Sequence, residues 1–154
     1  LGTALTGCGS KTAAPETSVE PTQQTAPYQQ EQSQTEKALA LINTFATGDT
    51  DTARSLLSDG YIQHNLAYGT GADAFIGSVE YLASADVKTT VNNIRAFEDG
   101  DKVFLQTIYN FAGAGEQVAF DIFRFDEDGK IAEHWDVMET IADQSTWQNQ
   151  NGKF

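Results

Sequence analysis

The run from Phe120 to Val137 constrains this chain more than any other stretch of it. Two segments rich in aromatic and β-branched residues, Phe120-Asp121-Ile122-Phe123-Arg124-Phe125 and Ile131-Ala132-Glu133-His134-Trp135-Asp136-Val137, flank Asp126-Glu127-Asp128-Gly129-Lys130. An Asp-Gly connection between such segments has the chemistry of a tight turn, so the run reads as a β-hairpin. Two aspartates, an imidazole and an indole sit where a half-buried sheet ordinarily carries apolar side chains. A polar group buried without a partner costs about 1–3 kcal/mol, so these groups must pair with one another or serve a purpose. The hairpin is therefore the first candidate for a working site.

Its register decides which groups meet. A two-residue loop at Glu127-Asp128, or a four-residue loop over Asp126 to Gly129, sets Asp121 opposite His134, Phe123 opposite Ala132 and Ala119 opposite Asp136. A three-residue loop with a bulge at Gly129 shifts the pairing by one and sets Asp121 against Trp135. The first register is the expectation. It gathers Asp121, His134 and Asp136 on one face with Ala119, Phe123 and Ala132. Val118, Phe120, Ile122, Ile131, Trp135 and Val137 fall on the other, with Arg124 and Glu133 as a cross-strand ion pair.

The chain of 154 residues is long enough for one domain with a real core. Its formal net charge of −13, from 22 acids against 9 bases, argues against nucleic acid and anionic membrane surfaces as partners. Lys and Arg form no stripe, which lowers phosphate chemistry as well. A single cysteine, Cys8, allows no internal disulfide.

Three regions follow. From Gly9 to Gln30 the chain is Ser, Thr, Gln, Pro, Ala and Glu with little to bury, the composition of a disordered linker. A folded region spans 31–154. Ala38, Leu41, Ile42 and Phe45 recur at helical spacing and Gly48 supplies a stop. Asp49-Thr50-Asp51 offers N-caps for a second helix through Leu57, ended by Gly60. A third helix carries the stripe Phe75, Val79, Leu82. From Val87 the period changes to two, predicting strands over Val87–Phe97 and Lys102–Phe111 about a turn at Glu98-Asp99-Gly100-Asp101, then the hairpin. The fold class is α+β, three N-terminal helices packed on an antiparallel sheet. The tail from Ile141 to Phe154 has few apolar residues and is expected to pack loosely.

Two resemblances extend this reading. Leu5-Thr6-Gly7-Cys8 resembles the lipobox of bacterial lipoproteins, in which the signal peptide is cut before a cysteine that then carries lipid. Residues 1–8 would be the remnant of that signal, Cys8 the lipid attachment, and the domain would be tethered at an extracytoplasmic membrane face without spanning it. An ordinary cysteine in an unstructured terminus is the alternative. Separately, Tyr61-Ile62-Gln63-His64-Asn65, then Gly71 and Phe75 ahead of a helix, then Asp121-Ile122-Phe123-Arg124 and Asp128-Gly129-Lys130-Ile131-Ala132-Glu133-His134-Trp135-Asp136 resemble the SnoaL-like branch of the NTF2-like superfamily. The resemblance implies a cone, a strongly curved antiparallel sheet around a long N-terminal helix, with an apolar pocket between them. It implies a range of activities, including polyketide cyclisation by a pocket carboxylate acting as general acid and base, and it implies that homodimers are common.

The candidate catalytic residues are His134, Asp136, Asp121 and His64. Both histidines fall inside the motifs, and a histidine beside a carboxylate can shuttle protons near neutral pH. Tyr61 and Asn65 are candidate substrate contacts, Tyr61 as a donor to a developing oxyanion; Phe123 and Trp135 are candidate apolar contacts. Each also has a structural reading: His134 tied to Asp121 to hold the sheet, Tyr61 as a helix-end anchor, Trp135 as core. No cofactor is expected. The two histidines lack short ligand spacing and the cysteine stands apart, so no metal is expected. Gly113-Ala114-Gly115 joins two strands and is no phosphate loop, and no Gly-x-Ser-x-Gly elbow occurs. The expected function is a pocket for a small, largely apolar organic molecule, with proton transfer next to a carbonyl as the candidate reaction. The alternative is a lipid-anchored, non-catalytic binding or dimeric interaction module.

Overall fold

The computed structural model describes residues 2–3 and 31–154 of the chain. Cys8 and the expected linker over 9–30 lie outside the described residues. Glu31–Phe154 form one compact unit.

Helix α1 (Gln34–Thr47) starts on a reciprocal cap, in which the Ser33 hydroxyl accepts the Glu36 N–H and the Glu36 carboxylate accepts the Ser33 N–H. Ala38, Leu41 and Ile42 face inward, as their spacing predicts. The Asp49 carboxylate caps α2 (Thr50–Leu56) by accepting the Thr52 N–H. Helix α3 (Ala72–Ser84) buries Phe75, Ile76, Val79 and Leu82.

The helix predicted through Leu57 ends one residue earlier, and the chain continues as strand β1 (Leu57–Gln63). Gly60 lies inside this strand and terminates nothing. The strand's backbone partners come from the far end of the chain, where β1 pairs in parallel with β5 (Ile131–Thr140). Local propensity cannot reveal a strand whose ladder is supplied from so far away. The remaining strands are β2 (Thr90–Asp99), β3 (Lys102–Asn110) and β4 (Glu116–Phe125), giving the order β1-β5-β4-β3-β2. The five-stranded sheet is curved and mixed, antiparallel except at its β1 edge, so the wholly antiparallel expectation is corrected there.

The hairpin register also differs from the expectation. Asp121 lies opposite Asp136 and Phe123 opposite His134, while Arg124 and Glu133 do pair directly. Two one-residue shifts cause this. The turn closes with Phe125 opposite Ile131, where the Asp126 carboxylate accepts the N–H groups of Asp128 and Lys130 and Gly129 takes φ 70°. A bulge then places Ala132 as an extra residue before Glu133. Their sum is even, so Asp121, His134 and Asp136 still share the face assigned to them.

That face is the inner one. Val103, Leu105, Tyr109, Ala119, Phe123 and Phe125 pack from it against Leu41, Ile42, Phe75 and Val79. The tail is less loose than its composition implies: the Gln106 side chain donates to the Lys153 carbonyl and the Trp147 indole to the Ala142 carbonyl.

Gly48 fixes the end of α1 at φ 74°, and a Cβ there would lie 2.8 Å from that of Ala83. Gly48→Ala is expected to cost about 1–3 kcal/mol from the left-handed backbone and the clash together. Urea unfolding measures it, and unchanged stability would show that the α1–α3 contact is free to relax.

Candidate active site

A cavity of about 610 Å³ opens between α1, α3 and the inner sheet face. Ile42, Phe45, Phe75, Leu82, Phe111 and Met138 make its walls apolar, and Gln63, Tyr109, Asp121, His134 and Asp136 form one polar region. Beside it, the turn Phe111–Gly113 holds Ala112 at φ 50°, a strained backbone for a non-glycine residue.

The register sets two carboxylates directly opposite one another, which is repulsive on an antiparallel pair. Neighbouring donors offset it. Asp121, 3% exposed, accepts the Tyr109 hydroxyl on Oδ2 and faces His134 Nε2 from Oδ1, both at 2.9 Å. Asp136 accepts the Asn65 amide on both oxygens at 2.8 Å. Burial, followed by the charge of Asp121, pushes the Tyr109 phenol well above its usual range, so it remains a donor.

His134 occupies the centre. It stacks on Phe123 with ring centroids 4.5 Å apart, and its Nδ1 lies 2.9 Å from Gln63 Oε1. The amide orientation of Gln63 is set by its other contacts, because Oε1 accepts the Asn65 backbone N–H at 2.9 Å and Nε2 donates to the Tyr61 hydroxyl at 3.2 Å. Both imidazole nitrogens therefore face acceptors, and only a ring carrying two N–H groups satisfies both contacts. This arrangement suits an imidazolium between a carboxylate and an amide oxygen.

The other predicted residues divide by face. Phe123 lines the cavity and Asn65 reaches it through Asp136. Tyr61 is buried edge-on against Phe75 and supports Gln63 from behind, outside the cavity lining. His64 and Trp135 lie on the outer sheet face, stacked on each other at 4.8 Å, and line none of the cavity. His64 Nε2 is 2.7 Å from Glu133 Oε1, and Arg124 Nε donates to Glu133 Oε2 at 2.7 Å. Those two contacts, the His64 one foremost, hold the Glu133 carboxyl below its usual range. His64 and Trp135 are thus not brought to the cavity that gathers Asp121, His134 and Asp136.

Gln63 takes the inward position expected of His64, because Gln63 and His134 are register partners in β1 and β5. Alternation with the inward Tyr61 was the available signal, hidden while β1 read as a helix end. Tyr109, also missed, alternates with Leu105 and Val103 on the same buried face.

Asp121, His134 and Asp136 each offer an atom within 4.8 Å of the others, a grouping of metal-ligand type that sequence spacing does not show. His134 Nε2 and Asp121 Oδ1 already share a hydrogen, so an ion there would have to replace that proton. Tyr109→Phe removes one donor from buried Asp121 and is expected to cost about 1–3 kcal/mol. Chemical denaturation checks it; an unchanged midpoint would show that Asp121 finds another donor.

Comparison with known proteins accords with this geometry. The family model for the SnoaL-like domain matches residues 38–134. No curated protein matches the chain. Among solved structures, an NTF2-like protein from Cytophaga hutchinsonii is similar at TM-score 0.61 and 16% identity, covering 72% of this chain and 94% of its own. An LEH-like epoxide hydrolase from M. tuberculosis is similar at TM-score 0.58 and 18% identity, covering 67% and 80%. IdmH from Streptomyces antibioticus, a candidate polyketide cyclase, is similar at TM-score 0.56 and 18% identity, covering 70% and 93%. At such identities these structures establish shared fold alone. The inner-face cavity, the helix-first order and the matched family model together place this chain in the SnoaL-like domain family.

Proposed function

We propose that the cavity encloses a small, largely apolar organic molecule and that Asp136 takes a proton from the carbon next to its carbonyl. The carrying observation is the inequality of the two aspartates. Asp121 is occupied by Tyr109 and His134, whereas Asp136, among the described residues, is held only by the Asn65 amide. In the reaction the C–H electron pair moves toward the carbonyl oxygen, forming an enolate, and the proton passes to Asp136. Return of that proton at another carbon is isomerisation; attack of the enolate on a second carbonyl, with the proton passing from Asp136 to the alkoxide so formed, is aldol-type cyclisation. The His134 ring, paired with Asp121, keeps the second carboxylate from adding its charge beside the enolate, and the apolar walls keep water from competing. A lipid on Cys8, supported by its lipobox-like setting, would tether the domain at an extracytoplasmic membrane face.

Asp136→Asn should lower turnover of a carbonyl substrate by at least about a hundredfold with the circular dichroism spectrum unchanged, and His134→Ala by a similar factor with a lowered melting temperature. Substrate-library turnover assays on folded variants test this, and full activity in Asp136→Asn removes the mechanism.

A second reading, an interaction module working as a homodimer, is favoured by the outer sheet face. Phe97, Phe104, Phe120, Ile62 and Val137 are exposed there, Phe97 at 63% and Val137 at 72%. At typical side-chain areas they present roughly 500 Å² of apolar surface, close to the apolar part of the ~800 Å² that each partner buries in a standard interface. Lys102–Asp101 and Arg124–Glu133 bring both signs of charge to this face, which suits a second copy despite the acidic whole. Light scattering should find a dimer for the wild-type chain and a monomer for Phe104→Glu with Phe120→Glu. A wild-type monomer at about 100 µM, a concentration well above the dissociation constant of a standard interface, excludes this reading.

A further inference from the structure

The cavity's charge is unbalanced, and this bears on what it admits. No lysine or arginine lines it among the described residues, and His134 is its one cationic side chain. The positive charge of that ring is committed to Asp121 and its second N–H to Gln63. Asp121 and Asp136 both accept hydrogen bonds on both oxygens, as ionised carboxylates do. One negative charge therefore remains at the polar region, and it is that of Asp136, whose protein partner is a neutral amide.

The surroundings reinforce the imbalance. Phe45, Phe75, Tyr81, Tyr109 and Phe111 line the same space and present aromatic faces and edges, and an aromatic face attracts a cation. Phe45 lies tilted against Phe75 at 4.9 Å and edge-on to Phe111 at 5.8 Å, and Tyr109 stacks on Phe111 at 4.9 Å, so these four rings form a continuous wall. The chain's net charge of −13 adds a field that draws cations toward a cleft and repels anions. A carboxylate or phosphate guest would meet Asp136 with no basic side chain to receive it. A positive guest would instead relieve the repulsion between two carboxylates set opposite each other on β4 and β5.

We infer that the cavity selects its guest by charge, preferring an apolar molecule that carries a protonated amine and rejecting its carboxylate counterpart. The nitrogen sits toward Asp136 and the apolar body lies along the aromatic wall. This rests on the reading of the cavity as a small-molecule site; a guest whose amine pairs with Asp136 occupies the carboxylate that the proton-transfer step uses as base, so such a guest is bound and not turned over.

Three probes of one shape, phenylpropylamine, phenylpropanol and phenylpropanoate, separate the terms when titrated calorimetrically into the full chain near neutral pH. The amine should bind at least about tenfold more tightly than the alcohol, and the alcohol about tenfold more tightly than the carboxylate. In Asp136→Asn, folded as judged by its melting temperature, the amine's advantage over the alcohol should disappear. Equal affinity for all three in the wild-type chain, or an amine preference that survives Asp136→Asn, overturns the charge selection while leaving the cavity as a guest site. Failure of all three to bind overturns both. The wild-type series decides the matter by itself if the variant does not fold.

Discussion

The inner half of this structure depends on the placement of His134. Its ring joins the hairpin to β1 by reaching Asp121 on β4 with one nitrogen and Gln63 with the other. Burying a carboxylate is costly unless it is paired and hydrogen-bonded. Here the Asp121 charge is met by the ring and by Tyr109, at a point where a second carboxylate stands directly across the strand pair. Without the ring, β4 and β5 would hold two like charges in a largely apolar cavity. Gln63 would also lose the contact that ties the parallel edge strand to this cluster.

The two histidines show how environment divides similar residues into different roles. Both accompany a carboxylate and both stack on an aromatic ring, yet His134 is buried at 7% exposure against Phe123 while His64 lies over Trp135 on the outer face. Strand parity makes the difference. The pairing of Gln63 with His134 turns residue 63 inward and residue 64 outward. The outer cluster of His64, Glu133 and Arg124 ties strands together beside an apolar surface, whereas the inner cluster lines a cavity.

Much of this was legible in the sequence, for identifiable reasons. Helices α1 and α3 announced themselves through Leu41, Ile42, Phe75 and Val79, because an amphipathic stripe is a local property. The shared face of Asp121, His134 and Asp136 was also readable, since alternation survives any even shift in register. The register itself was not, because the bulge at Ala132 is set by how two strands meet and leaves no mark in composition. Strand β1 was hidden for a related reason: Leu56 and Leu57 continue a helical pattern, and only the distant Ile131 shows that the second of them is extended. The inward place at the cavity belongs to Gln63 and not to His64 as a direct result.

The paired irregularities of the hairpin carry an evolutionary consequence. Because the turn and the bulge each offset the pairing by one, the segment between Phe125 and Glu133 acts as a parity lock on the strand that follows. Gain or loss of a single codon that the turn does not take up would rotate every later side chain of β5 through half a turn, exporting His134 and Asp136 to solvent and burying Trp135 and Glu133 in their place. Length variation in this connection is then tolerated where the turn itself takes it up or where a compensating bulge arises nearby. Descendants of this chain can vary the residues of their loop far more freely than they can vary its length.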